Sequence, residues 1–458
     1  MQVTIVGGGS YQWSPKLLAD LLGTPSLAGV HVVLLDVDPE PLPKMEAIFG
    51  RLNDALAAGA TVSTTTDQRR ALTGADFVVV TISTGGFASM ALDLDVPARF
   101  GIRQSVGDSV GPGGISRSLR NIPVLHGIAR DMEQCCPDAW LLNITNPMTC
   151  LTRTVTKAST IKAVGLCHEL GNYTIDVAIA FGRRWEDVRA TITGVNHFAV
   201  VTALDIDGAD GLALLREMVE DVGGLASLHP EPGRAPADAF SKLDFARRHV
   251  LSLTLLDRFG ALPAAGDRHL AEFLPSVLTE GSGWGAEWGI DLTPISLRQR
   301  HQSEYIAEVD AVLAGDGQLQ TWPSGELVAP VIDSLLTGTR RELPLNLPNR
   351  GQCPDLPEDA VVESICVVDG DGIRGRDVAT APAALAEILR RQVATQELTV
   401  EAGLSGDRAL ALAAFALDPL AGRGDLRDTE AMADELLAAT ARWLPQFEPV
   451  GAGQPGGT

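Results

Sequence analysis

Two short apolar runs end in side chains that can bind a cation. Ala163-Val164-Gly165-Leu166 leads into Cys167, His168 and Glu169, and Gly194-Val195 leads into Asn196, His197 and Phe198. A thiolate and an imidazole are ordinary ligands for zinc- or iron-type ions, and thiolate is a soft partner for manganese. Two ligands leave the coordination sphere open to water or substrate oxygens, which suits a catalytic metal and not a structural one. The same pair also reads as a buried cysteine and a core histidine, since free cysteine is among the most buried residue types.

The elements that would position such a pair begin at the N-terminus. Gln2-Val3-Thr4-Ile5-Val6 is a β-rich run, Gly7-Gly8-Gly9-Ser10 follows at once, and Leu17, Leu18, Leu21 and Leu22 mark a helix after Pro15. Strand, glycine turn and helix open a dinucleotide fold: glycines let backbone N–H groups approach a pyrophosphate, and the helix N-terminus favours its charge. The third glycine position of the usual fingerprint holds Gln12. A second strand from His31 ends in Asp36, placed to accept from a ribose diol and to repel a 2′-phosphate, so NAD is the expected dinucleotide. A later strand over 75–82 runs into Ser83-Thr84-Gly85-Gly86, a turn fit to pass under the cofactor. Thr84 and Gly85 therefore join Gly7, Gly8, Gly9, Ser10 and Asp36 as candidate NAD contacts.

Val106 to Gly114 is a glycine-rich loop holding Asp108. It leads into a basic helix start at Arg117 and Arg120, fit for an anionic or polyhydroxy group or simply solvated. Asn143-Ile144-Thr145-Asn146-Pro147 ends a strand, and the proline biases Asn146 to extended backbone.

At 458 residues the chain is too long for one ordinary core. The expected fold is α/β: a Rossmann-like doubly wound parallel sheet, then an α+β catalytic domain of lactate/malate dehydrogenase type. The expected division is 1–190 for NAD, 191–448 for substrate, metal and oligomerisation, and a disordered tail over 449–458. The net charge of −22 weighs against nucleic acid and anionic membranes as partners. No apolar run approaches the roughly 20 residues that span a bilayer. Six irregularly spaced cysteines and a first strand at Gln2, with no leader expected before it, read as a reduced cytoplasmic protein. Residues 226–240 are Pro- and Ala-rich without a catalytic signal. Residues 382–417 are helical by period, broken at 403–407, and the uncharged Ala409–Leu417 stretch is expected in the core or a subunit contact. Trp284 and Trp288 read either as sugar-stacking or as core residues.

Taken together these pieces resemble glycoside hydrolase family 4, the NAD- and metal-dependent glycosidases. The resemblance is carried by Gly7 to Ser10, Gly107 to Ile115, Asn143 to Pro147, Gly165 to His168, Gly194 to His197, Ser324-Gly325-Glu326 and Asn346 to Gly351, in the family's order over most of the chain. It implies that Cys167 and His197 hold Mn2+ or another divalent metal. It also implies that Asn146 meets the sugar beside the nicotinamide, with Asp108 and Asn196 as further substrate contacts. His168 is similar to the α-glucosidase and α-galacturonidase branches and is the candidate acid for the leaving-group oxygen; a merely packed histidine is the alternative.

The chemistry that the resemblance implies is a redox detour, outside the two-carboxylate scheme of most glycosidases. Hydride leaves C3 to NAD, the resulting ketone acidifies the C2 proton, and a base removes it while the metal stabilises the enediolate. The C1–O bond then breaks by elimination, water adds and the hydride returns. Many members use a tyrosine base, but Tyr11, Tyr173 and Tyr305 all lie outside the expected central region. Gly266-Asp267-Arg268-His269 is similar to the branch with aspartate there. Asp267 is thus the base candidate, His269 the runner-up or a third metal ligand, and Arg268 a partner for a substrate carboxylate. The cluster also reads as a helix start, since aspartate is a good N-cap. The expected activity is α-glycoside hydrolysis, with uronides or 6-phosphoglycosides among the substrates, by a homodimer or homotetramer. The alternative is an NAD-dependent 2-hydroxy acid dehydrogenase of lactate/malate type, which leaves Cys167 and the 107–115 loop without a role.

Overall fold

The computed structural model describes residues 1–228 and 241–447. The tail expected over 449–458, and 229–240 of the Pro- and Ala-rich stretch, lie outside the described residues. Strands β1 (Gln2–Val6), β2 (His31–Leu35), β3 (Thr61–Thr65), β4 (Phe77–Val80), β5 (Trp140–Asn143) and β6 (Lys162–Leu166) are parallel, in the order β3-β2-β1-β4-β5-β6. Most of these runs are apolar at successive positions because helices cover both faces of the sheet. Val3, Ile5, Val32, Leu34 and Val79 pack with helices Ser14–Leu22, Leu42–Leu56 and Val328–Thr337. Val33, Leu35, Val78, Val80 and Leu141 pack with Gly111–Cys135 and Met148–Ala158. Parallel strands share one carboxyl edge, so the loops after β1, β4, β5 and β6 meet there, beside the switch point between β1 and β4.

A second, antiparallel sheet holds β7 (Val188–Val195), β8 (Phe198–Ile206), β9 (Ala209–Asp210) and β10 (Leu262–Ala264). It packs with helices Glu169–Ala180, Gly211–Asp221 and Val250–Phe259. The chain then returns to the first sheet. β11 (Arg341–Pro348) lies antiparallel to β6, with Asn346 opposite Gly165, and β12 (Val361–Asp369) and β13 (Gly372–Gly375) extend it to nine strands. The division expected at residue 190 is therefore crossed by the sheet itself, through pairing between residues that are far apart in sequence.

The loop expected to run through Gly114 turns helical at Gly111. A Cβ at Gly113 would meet the Gly107 carbonyl oxygen at 2.7 Å, and one at Gly114 would meet the Ser109 carbonyl carbon at 2.6 Å. Glycine thus lets residues 107–110 fold back on the helix start. Residues 382–417 form helices Ala383–Ser405 and Arg408–Leu417, with Gly406 at φ +74° between them. Ala411, Ala414 and Phe415 of the uncharged stretch are in the core. Among the described residues no helix is long and apolar enough to cross a membrane. All six cysteines are free thiols.

Candidate active site

A cleft of about 370 Å³ opens at the carboxyl edge of the parallel strands. Asp108, Asn146, Cys167, His168, His197, Arg268 and His269 all line it, brought from five separate segments. Asp267 and Asn196 do not line it.

Cys167 is the first residue past β6 and is buried. Burial pushes its thiol well up, and the carboxylates of Glu363 and Glu169 add to this; a bound cation works in the opposite sense, since a coordinating thiol is deprotonated. His197 sits in the two-residue turn between β7 and β8, where Val195 pairs with Phe198. Its φ of +65° is uncommon for a residue with a side chain. Gly194 before it has φ +145°, and a Cβ there would strike the Phe198 carbonyl oxygen at 2.2 Å. Burial, then the neighbouring His269 imidazole, hold the His197 pKa down to about 3, so the ring is neutral, as a ligand must be. His197 Nδ1 lies 2.9 Å from Ser109 Oγ, which donates to Asp108 Oδ1 at 2.9 Å. Burial alone would raise the Asp108 carboxyl, but the guanidinium groups of Arg298 and Arg117 bring it to about 2.

Among the described residues no three His, Cys, Asp or Glu side chains gather round one point as a metal cage. The His269 ring lies over that of His197, centroids 3.9 Å apart and planes tilted by 37°, so it stacks on the histidine and is not placed as a third ligand. A buried thiol and a neutral imidazole with one open side fit a divalent ion that takes its remaining ligands from substrate or water.

His168 begins the helix Glu169–Ala180. Its Nδ1 lies 3.1 Å from Oε1 of Glu326, and this carboxylate raises the imidazole's pKa. Ser324, two residues before Glu326, is bonded through its backbone N–H and hydroxyl to Asp20 of the first helix. Asn146 Oδ1 is buried without a hydrogen-bond partner, while its backbone carbonyl accepts from Arg117 Nε at 2.9 Å.

Asp267 is a correction. Its Oδ2 accepts the Leu251 N–H at 2.7 Å and its Oδ1 the Ser252 N–H at 3.1 Å, so both oxygens are spent on the start of helix Val250–Phe259. It caps that neighbouring helix and faces away from the cleft. Its neighbour His269 faces in, with a buried Nδ1 that has no partner. Arg268 stands exposed at the rim and donates to Thr293 Oγ1. Asn196 is buried and does not line the cleft; its side chain approaches Cys167 and Glu363. Arg120 is also corrected: it is fully buried, donating to Asp93 Oδ1 at 2.8 Å and to the Thr84 carbonyl at 3.0 Å.

The glycine loop is built by packing more than by direct offer of N–H groups. Gly7 and Gly8 N–H both go to the Leu35 carbonyl, Gly9 N–H goes to Asp36 Oδ2 at 2.9 Å, and Ser10 N–H goes to the Gly7 carbonyl. A Cβ on Gly7 would meet the Thr81 carbonyl oxygen at 1.9 Å. Gly85, at φ +82°, lies under Trp443, and Thr84 is fixed by Asn121.

Sequence reading missed three contributors. Glu326 was visible only as part of a motif without a role. Tyr305 lines the cleft from helix Ile295–Ala314, its phenol pKa raised by burial and by Glu308, so it is no activated base. Trp13 lines the cleft directly after the glycine loop, whereas Trp284 lies beside Arg103 and Arg423.

The model for the family 4 glycosyl hydrolases matches residues 2–180, and that for their C-terminal domain matches 192–421. An α-galacturonidase from Bacillus subtilis is 34% identical over 95% of this chain and 97% of its own length. The crystal structure of a candidate glucosidase from Bacillus subtilis superposes with a TM-score of 0.86 at 32% identity, covering 95% of this chain and 99% of that one. A 6-phospho-α-glucosidase from gut microorganisms, solved in complex with NAD and Mn2+, shares the fold with a TM-score of 0.78 at 20% identity, over 98% and 99% of the two chains. With both halves matched and the cleft built from the strand ends those halves supply, this chain belongs to the family 4 glycosyl hydrolases.

Proposed function

We propose that this chain is an NAD- and divalent-metal-dependent α-glycosidase acting on α-galacturonides. The observation that carries the reading is the convergence of Asn146, Cys167, His168 and His197 in one cleft with two guanidinium groups, Arg268 and Arg298. The similarity to an α-galacturonidase supports the uronide, and the NAD and Mn2+ of the gut-microbial neighbour support the two cofactors. Bound NAD would supply a hydride acceptor and donor at C3, and the cation would supply Lewis acidity at the C2 and C3 oxygens.

The chain's own residues divide the rest. Cys167 and His197 hold the cation. The N–H groups of Tyr11 and Gln12, which make no hydrogen bond within the loop, are left for a pyrophosphate ahead of helix Ser14–Leu22. Asp36 takes the ribose diol, and Thr84 and Gly85 pass beneath the dinucleotide. Asn146 Oδ1 accepts from a sugar hydroxyl, as does Asp108, which lines the same cleft. His269 takes the C2 proton at Nδ1, since burial lowers its pKa and keeps the ring neutral. His168, held protonated by Glu326, gives a proton to the departing oxygen. Arg268 and Arg298 receive the C6 carboxylate, where charge-assisted bonds favour an acid over a hydroxymethyl group. The unpaired cysteines suit a reducing cytoplasm, and the expected assembly is a dimer or tetramer.

The test is a panel of nitrophenyl α- and β-galacturonides, neutral galactosides and 6-phosphoglycosides in D₂O, with NAD and Mn2+ added together or singly. Nitrophenol release that needs both, strongest for α-galacturonide and leaving deuterium at C2, is the expected result. NADH accumulation without nitrophenol release would replace this reading with a dehydrogenase.

A further inference from the structure

We propose that Ser109 is a positioning residue that sets which nitrogen of His197 faces the metal. This rests on the reading that Cys167 and His197 hold a divalent cation. Ser109 Oγ lies between two groups, 2.9 Å from Asp108 Oδ1 and 2.9 Å from His197 Nδ1. A hydroxyl has one proton to give. The Asp108 carboxylate, 3.6 Å from the Arg298 guanidinium, accepts only. The serine proton therefore goes to Asp108, and Oγ accepts from His197. Only a protonated Nδ1 can donate to it. A neutral imidazole has one N–H, so Nε2 keeps its lone pair for a cation.

The trio has the residue types of a nucleophilic triad in the wrong order. The aspartate contacts the serine and not the histidine, so no base draws the proton from Oγ toward an acyl centre. What the order does provide is orientation. Ser109 is itself pinned: it is buried, and the glycine at 114 lets the helix start close on its backbone. His197 is pinned from the other side by its place in the tight β7–β8 turn. Gly114, at the end of the glycine-rich loop, thereby acquires a task, which is to bring a hydroxyl to a histidine.

The experiment reads the apoenzyme first. Spectra of 15N-histidine-labelled protein, with the His197 signals assigned by their loss in His197→Gln, report the tautomer directly. The expected state is protonated Nδ1 and bare Nε2. A proton on Nε2 in the wild-type protein would overturn the proposal, whatever the variants do. Mn2+ binding by electron paramagnetic resonance follows. Ser109→Ala is expected to weaken Mn2+ about 10- to 100-fold, the usual effect of losing the partner of a metal-bound histidine, while NAD affinity stays within about twofold. Ser109→Thr, which keeps the hydroxyl, is expected to recover most of the loss. Unchanged Mn2+ affinity in a folded Ser109→Ala would also overturn the proposal. Failure of the wild-type protein to bind Mn2+ at all would instead remove the underlying metal reading, a result the tautomer measurement keeps separate.

Discussion

Glu326 Oε1 lies 3.1 Å from His168 Nδ1, joining a helix that starts at the end of β6 to a segment more than 150 residues later. The carboxylate raises the pKa of the imidazole beside the cleft, which in the proposed reaction favours a proton on it. Glu326→Gln should therefore slow cleavage of a substrate with a poor leaving group, such as a digalacturonide, by about 10²-fold, within the range for general acid catalysis. Nitrophenyl galacturonide, whose leaving group needs little proton help, should lose far less. Equal losses on both substrates, measured as kcat/KM, would remove His168 and Glu326 from acid catalysis.

The two faces of the Asp267–Leu270 turn should separate cleanly. Asp267→Ala strips two buried N–H groups of their acceptor and should cost about 2–4 kcal/mol of stability. Calorimetry should show a lower Tm, with kcat at low temperature changed by less than about threefold. A folded Asp267→Ala that loses all turnover with its Tm intact would restore Asp267 as the base.

His269→Asn should do the reverse. It should keep its Tm and lose about 10²–10⁴ in kcat, together with the wash-in of deuterium at C2. Exchange at C2 that persists in this variant would move the base elsewhere in the cleft.

Arg268 at the rim gives a substrate-specific prediction. A hydrogen bond to a charged group is worth about 1.5–3 kcal/mol, so Arg268→Ala should raise KM for α-galacturonide roughly 10- to 100-fold and leave KM for neutral α-galactoside nearly unchanged. Thr293→Val, which removes the acceptor that steadies this guanidinium, should act in the same direction and less strongly. Equal effects on the two sugars would take Arg268 out of carboxylate recognition.

What the sequence made legible was local. The strand, glycine turn and helix at the N-terminus, Asp36 at the next strand end, and Cys167 one step past β6 all follow from short patterns read within one element. His197 was legible because it follows the short apolar run Gly194-Val195 at a strand end. The direction of a carboxylate was not legible. Asp267 and His269 are two apart, and only the packing of helix Val250–Phe259 against them decides that one caps and the other faces the cleft. Arg120 looked like a ligand contact because Asp93, its buried partner, lies 27 positions earlier on a different helix. Tyr305 reaches the cleft from beyond residue 290 with no local pattern to mark it, and the Ser324-Gly325-Glu326 motif gives no sign that Glu326 meets His168.

The pairing of β11 with β6 also has a consequence for synthesis. Until Arg341–Pro348 has left the ribosome, β6 is the unpaired margin of a growing parallel sheet, and the strand that delivers Cys167 offers free backbone groups to any other extended chain. At ~5–20 residues per second the stretch from Leu166 to Arg341 takes roughly 9 to 35 s to appear. Throughout that interval the strand that ends at Cys167 lacks its later neighbour. A truncated product ending before residue 341 would carry that open margin permanently, so premature termination in this gene should yield aggregates and not a free nucleotide-binding half.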